Sequence, residues 1–216
     1  MTAPELISHL RSLRSESGIA AQKRSGIEPR TETLGLTMTV LRDLARKHGT
    51  NHPLALDLWI SDIHDARILA TLIADPARLT RDQSERWVRE CDSWALTDAL
   101  AFLVDRTPFA ATKAQLWTTR QGEFMKRAGF ATMAGMAVHR KDLTDDVFVA
   151  FFPAITREAI DERLYVKKAV AWALSQIGKR NPALRKAATA EAKRIGKLTA
   201  PAARWISKEA LSVLKK

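Results

Sequence analysis

Apolar side chains recur at intervals of three and four residues almost from one end of the chain to the other, and alternating β-branched runs are absent. That spacing follows the roughly 3.6-residue turn of an α-helix, not the two-residue repeat of a strand. Ala, Leu, Arg and Lys, all good helix formers, fill these stretches. An all-α fold is expected. Pro4, Pro53, Pro108, Pro182 and Pro201 suit a first helical turn, which tolerates a missing backbone donor, and Gly49, Gly178 and Gly196 suit helix ends. Thr80 with Gln83 three residues on reads as a capping box. Helices are expected near residues 4–15, 37–47, 53–60, 63–74, 81–91, 94–105, 108–119, 121–138, 144–155, 164–179, 182–195 and 201–215. Residues 17–36, with Gly18, Gly26, Pro29 and Gly35, carry the weakest helical signal.

Short helices in pairs suggest an array, and the chain is weakly self-similar. Arg67 in DARILATL, Asp98 in TDALAFLV, Arg127 in KRAGFATM and Lys168 in KKAVAWAL align at one register, with spacings of 31, 29 and 41 residues. HEAT-type helical pairs repeat at roughly 40–47 residues with variation. The expected architecture is a HEAT-like helical-repeat solenoid, a single domain over residues 1–216 whose least defined helices lie in residues 1–33. In such a stack the second helices line a concave face, so one charged residue per repeat makes a row that could follow a phosphate backbone. The same positions also suit an ordinary solvated surface.

Charge is unevenly distributed. Residues 163–216 hold 14 Lys and Arg against two acids, Glu191 and Glu209, while the remaining 162 residues hold 21 basic and 22 acidic side chains. Concentrated like charge is easiest to explain by a polyanionic partner, and nucleic acid leads, ahead of an anionic membrane surface. A plain solubilising face is the competing explanation. Cys91 is the one cysteine, and MTAPELISHL has neither a basic leader nor a long apolar stretch, so a reducing, cytoplasmic compartment is expected, with nucleoid association on DNA. No run approaches the roughly 18 consecutive apolar residues of a membrane span, and no membrane role is expected.

Familiar catalytic signatures are missing: no glycine-rich loop ending in GK[ST], no HExxH and no Cys-x-x-Cys. His48 and His52 have helical spacing, but Gly49, Thr50 and Pro53 put them in a loop. No metal and no cofactor are expected. What stands out is SWALTD, where Trp94 and Asp98 lie four apart and share one helix face. Lys168 and Trp172 repeat that spacing with a cation in place of the acid, and Arg127 occupies the aligned register in FMKRAGF. Each alone suits a core indole or a surface charge; three at one register carry more weight.

The run LGLTMTVLRDLAR, then ALDLWISDIHDARILATLIADP, WALTD, FMKRAGF, YVKKAVAWALSQIGKRNP and WISKEAL, in that order over about residues 34 to 212, resembles the AlkD-like DNA alkylation-repair family. The resemblance implies a HEAT-like solenoid with a DNA-binding concave face and glycosylase activity on purines alkylated at the 3 or 7 ring nitrogen. By the same comparison Asp98 matches the catalytic carboxylate, Trp94 and Trp172 the aromatic residues beside the lesion nucleotide, and Arg127 the basic residue of the cleft. Lys126, Lys167, Lys168, Lys179 and Arg180 flank these motifs and are the expected contacts to the DNA backbone. The chain departs from some relatives at its start: its one tyrosine is Tyr165, and residues 1–33 contain no aromatic.

The chemistry suits so sparse a site. A purine alkylated on a ring nitrogen is cationic and leaves neutral without a general acid, so the task is to stabilise an oxocarbenium-like sugar, which a preorganised carboxylate does electrostatically. Indole faces attract cations. A monofunctional, monomeric glycosylase that uses water and no covalent lysine intermediate is expected. The alternatives are a non-catalytic protein binding damaged or branched DNA through the same groove, and a helical-repeat scaffold for protein partners.

Overall fold

The computed structural model describes residues 2–215, which fall into two compact units divided between Leu103 and Val104. Among the described residues there is no strand beyond an isolated parallel bridge between Glu32 and Ile63.

In the first unit the helices are α1 (Ala3–Ser12), α2 (Glu16–Arg24), α3 (Met38–His48), α4 (His52–Trp59), α5 (His64–Ile73), α6 (Arg81–Glu90) and α7 (Trp94–Val104), the last crossing the boundary by one residue. Apart from α5, whose N-cap is Ile63, their starts follow side-chain capping: Thr2 and Glu5 exchange bonds in a capping box, Asn51 accepts from Leu54 N at 3.1 Å, and Thr80 accepts from Gln83 N at 3.1 Å. α1, α3 and α4 pack with α5, and Leu6, Leu10, Leu41, Leu58 and Leu69 on these helices are all buried. The indoles of Trp59 and Trp87 stack with centroids 4.1 Å apart and planes 4° from parallel.

The segment with the weakest helical signal contains α2, which buries no side chain. Backbone contact fixes it instead. A Cβ on Gly18 would lie 2.0 Å from the Gly35 carbonyl oxygen, and one on Gly35, at φ +72°, 2.4 Å from Ile19 N. The buried Asp65 carboxylate then accepts from Leu34 N at 2.7 Å and Leu36 N at 2.8 Å, pinning the extended chain against α5.

The second unit holds α8 (Ala110–Thr118), α9 (Glu123–His139), α10 (Asp145–Val149), α11 (Phe152–Glu158), α12 (Leu164–Gly178), α13 (Pro182–Ile195) and α14 (Pro201–Leu214). α9 packs against α8 and α12, and α12 in turn against α13 and α14. Phe130, Met133, Phe148, Phe151, Val170, Leu174 and Ile206 belong to its core. Gly129 lets α8 and α9 meet closely: a Cβ there would lie 2.7 Å from the Ala114 carbonyl oxygen. The single helix expected over 144–155 is two, because Pro153 has no N–H to continue the ladder from Val149 and instead opens α11.

Candidate nucleic-acid interface

In the first unit the site is built on α7. The Ser93 hydroxyl accepts from Leu96 N at 3.2 Å, capping the helix. Leu96, Thr97, Leu100 and Leu103 are fully buried, so the stripe Trp94, Asp98 and Phe102, at four-residue spacing, is left half-buried. The indole N–H of Trp94 donates to the Ser25 carbonyl at the end of α2 at 3.0 Å, which fixes the ring. The structure thus sets the expected aromatic plate and carboxylate one turn apart in a partly desolvated setting, where a fixed charge acts more strongly than in water. Cys91 is buried, with its thiol pushed up by burial and poorly suited to nucleophilic work.

Arg67, at the aligned register of α5, is buried at 7% exposure. Its Nε donates to the Trp59 carbonyl at 2.9 Å and its Nη2 to Asp62 at 2.8 Å, with Glu90 3.5 Å away. Its charge is matched inside the unit, so Arg67 braces the fold instead of extending a row of cations.

In the second unit the expected cations divide into two groups. Arg127 is 7% exposed and donates to the Tyr165 carbonyl at 2.9 Å. Glu123 accepts from Tyr165 N at 3.1 Å, so the start of α9 clamps the start of α12. Lys126, expected at phosphate, is buried instead between Glu158 and Asp161. Hydrogen bonds from Arg163 first, then Lys126, hold the Asp161 carboxyl down to about 2. Arg180, also expected at phosphate, donates to the carbonyls of Ala137 at 2.9 Å and Leu143 at 3.1 Å and lies 4.0 Å over the Phe148 ring. In this structure both are engaged as struts within the unit, Lys126 by carboxylates and the half-buried Arg180 by backbone carbonyls.

Lys168, Trp172 and Lys179 come together. They line a cleft of about 310 Å³ between α12 and α14, with Trp205 and Glu209 across from them. Lys168 and Lys179 are exposed and Trp172 is half-buried. Lys167 Nζ lies 5.8 Å from the centre of the Trp205 ring. Trp205 and Glu209 went unassigned from sequence although they carry the same four-residue aromatic-to-acid spacing as Trp94 and Asp98. Among the described residues no group of three or more His, Cys, Asp or Glu is placed to hold a metal ion, and no helix is long and apolar enough to cross a membrane.

Paired helices, an acid one turn from an indole and a basic aromatic cleft describe an all-α repeat protein. The chain belongs to the DNA alkylation repair enzyme family, whose model matches residues 6–214. It is 27% identical over 134 residues to an uncharacterized protein of Listeria innocua and 26% identical over 134 residues to one of Listeria monocytogenes. Each match spans 60% of this chain and 60% of the relative's length. A solved structure described as a new family of proteins related to the HEAT-like repeat DNA glycosylases, with affinity for branched DNA structures, superposes with a TM-score of 0.82 at 20% identity, covering 98% of this chain and 95% of that one. The fold is HEAT-like.

Proposed function

We propose that this chain is a monofunctional DNA glycosylase that hydrolyses the N-glycosidic bond of cationic alkylated purines of the 3-methyladenine and 7-methylguanine type in double-stranded DNA. The observation that carries this is Trp94 and Asp98 one turn apart on the half-buried stripe of α7. In this mechanism Asp98 stabilises positive charge developing on the deoxyribose and orients the attacking water. Trp94 offers its ring to the cationic base, an interaction of about 0.5–2 kcal/mol. In the second unit Lys168 and Lys179 hold phosphates, Trp172 contacts the nucleotide, and Arg127 acts as a positioning residue through its bond to Tyr165 at the start of α12. Asp98→Asn tests the assignment: base release is lost while DNA affinity stays similar or tightens, and wild-type turnover in that variant removes Asp98 from the mechanism.

A second reading has one observation behind it, the affinity for branched DNA described for the structural relative. In it the chain binds branched DNA without releasing bases. Competition between a four-way junction and a matched duplex, together with absence of any released base, would establish it.

A further inference from the structure

The cleft between α12 and α14 has a composition that duplex binding does not require. Its α12 wall is Lys168, Trp172 and Lys179, at positions i, i+4 and i+11, and its α14 wall is Trp205 and Glu209, one turn apart. Both are single helix faces brought together by α12–α14 packing. We propose that this cleft takes an unpaired nucleobase, so that the chain recognises single-stranded segments at overhangs or branch points. The proposal rests on the DNA-binding reading above.

Two features favour a base over a phosphate. Two indoles line the space, and base-on-aromatic stacking suits every base because each has a π-face. Glu209 is exposed and lines the same space, where it repels phosphate but accepts from an N–H on the Watson–Crick edge of a base. Those donors are occupied within a duplex and free in an unpaired nucleotide, so Glu209 selects for the unpaired state. Lys168 and Lys179, 11 residues and about 16 Å apart along the helix axis, lie on either side of Trp172 in sequence and take the flanking phosphates. Lys167 over the ring of Trp205 holds that indole in place.

The test compares the full chain binding a blunt duplex and the same duplex with a single-stranded overhang, by fluorescence anisotropy. Trp205→Leu is expected to weaken overhang binding by about tenfold while leaving duplex binding within about twofold, given the usual worth of one stacked base. Because Trp205 packs against the core, helical circular dichroism and melting accompany that variant. Glu209→Ala avoids the packing issue and gives a signed result: overhang binding weakens by about threefold or more and duplex binding does not weaken, as expected for losing a charged acceptor. Tightening on both DNAs would show Glu209 acting only as a repelling charge and would overturn the proposal. Photocrosslinking of wild-type protein to iodouracil in the overhang should label the peptide containing Trp205 or Trp172; a label confined to other peptides overturns it too. Failure to bind either DNA would instead refute the DNA-binding reading, whereas normal duplex binding with overhang affinity insensitive to both variants refutes this inference alone.

Discussion

The indole N–H of Trp94 donates to the carbonyl oxygen of Ser25 at 3.0 Å, tying the first turn of α7 to the end of α2 across 69 residues of sequence. The ring beside Asp98 is therefore held by a helix that buries no side chain of its own. Trp94→Phe keeps an aromatic face and loses this bond. Stability is expected to fall by about 1 kcal/mol, the usual worth of one such bond, and base release to slow, with DNA affinity little changed. Chemical denaturation and single-turnover base release check both.

The seat of α2 depends on two glycines meeting backbone to backbone. Gly35→Ala places a Cβ at a φ of +72° and 2.4 Å from Ile19 N. Destabilisation of about 2–4 kcal/mol is expected from strain and displacement together. A urea midpoint equal to wild type would show that the segment is not held as described.

Lysines 126 and 168 should behave oppositely. Lys126→Ala removes one of the two cations on each of Glu158 and Asp161, which keep Arg157 and Arg163, and is expected to cost about 1–3 kcal/mol of stability. Lys168→Ala, at an exposed position, should leave the melting temperature unchanged and lower the log–log salt slope of DNA binding by about 1. Reversal of these two phenotypes would overturn the division between struts and phosphate contacts.

His64 is fully buried at the start of α5, and neither ring nitrogen has a hydrogen-bond partner. Burial holds its imidazole below the ordinary value near 6.5. The unfolded chain therefore takes up the proton first as pH falls, so this contribution is fully present above about pH 6.5 and is lost progressively below it. Urea unfolding at pH 7.5 and 5.5 should show a steeper loss for wild type than for His64→Leu, and equal slopes would contradict the assignment.

Local rules made much of the fold legible. Pro182 and Gly196 bound residues 182–195 in the sequence, and α13 runs Pro182–Ile195. α2 stayed hidden because ESGIAAQKR presents no apolar face, and what fixes it is the contact of Gly18 with Gly35, which no local pattern encodes. For the site, spacing sufficed to put Trp94 and Asp98 on one face of α7. It could not say that Arg67 and Arg127 turn inward, since their partners are the carbonyls of Trp59 and Tyr165, 8 and 38 residues away. The Trp172–Trp205 cleft was half visible: each wall has helical spacing, while the facing of α12 and α14 is a property of packing.

The central claim, that Asp98 drives loss of a cationic purine, is tested most directly by incubating the full chain with methylated duplex DNA and measuring free bases in the supernatant by mass spectrometry. Release of 3-methyladenine or 7-methylguanine by wild type, its loss in Asp98→Asn and no release of uracil from uracil-containing DNA is the expected result. Equal release by both proteins, or none by wild type while it still binds DNA, would contradict it.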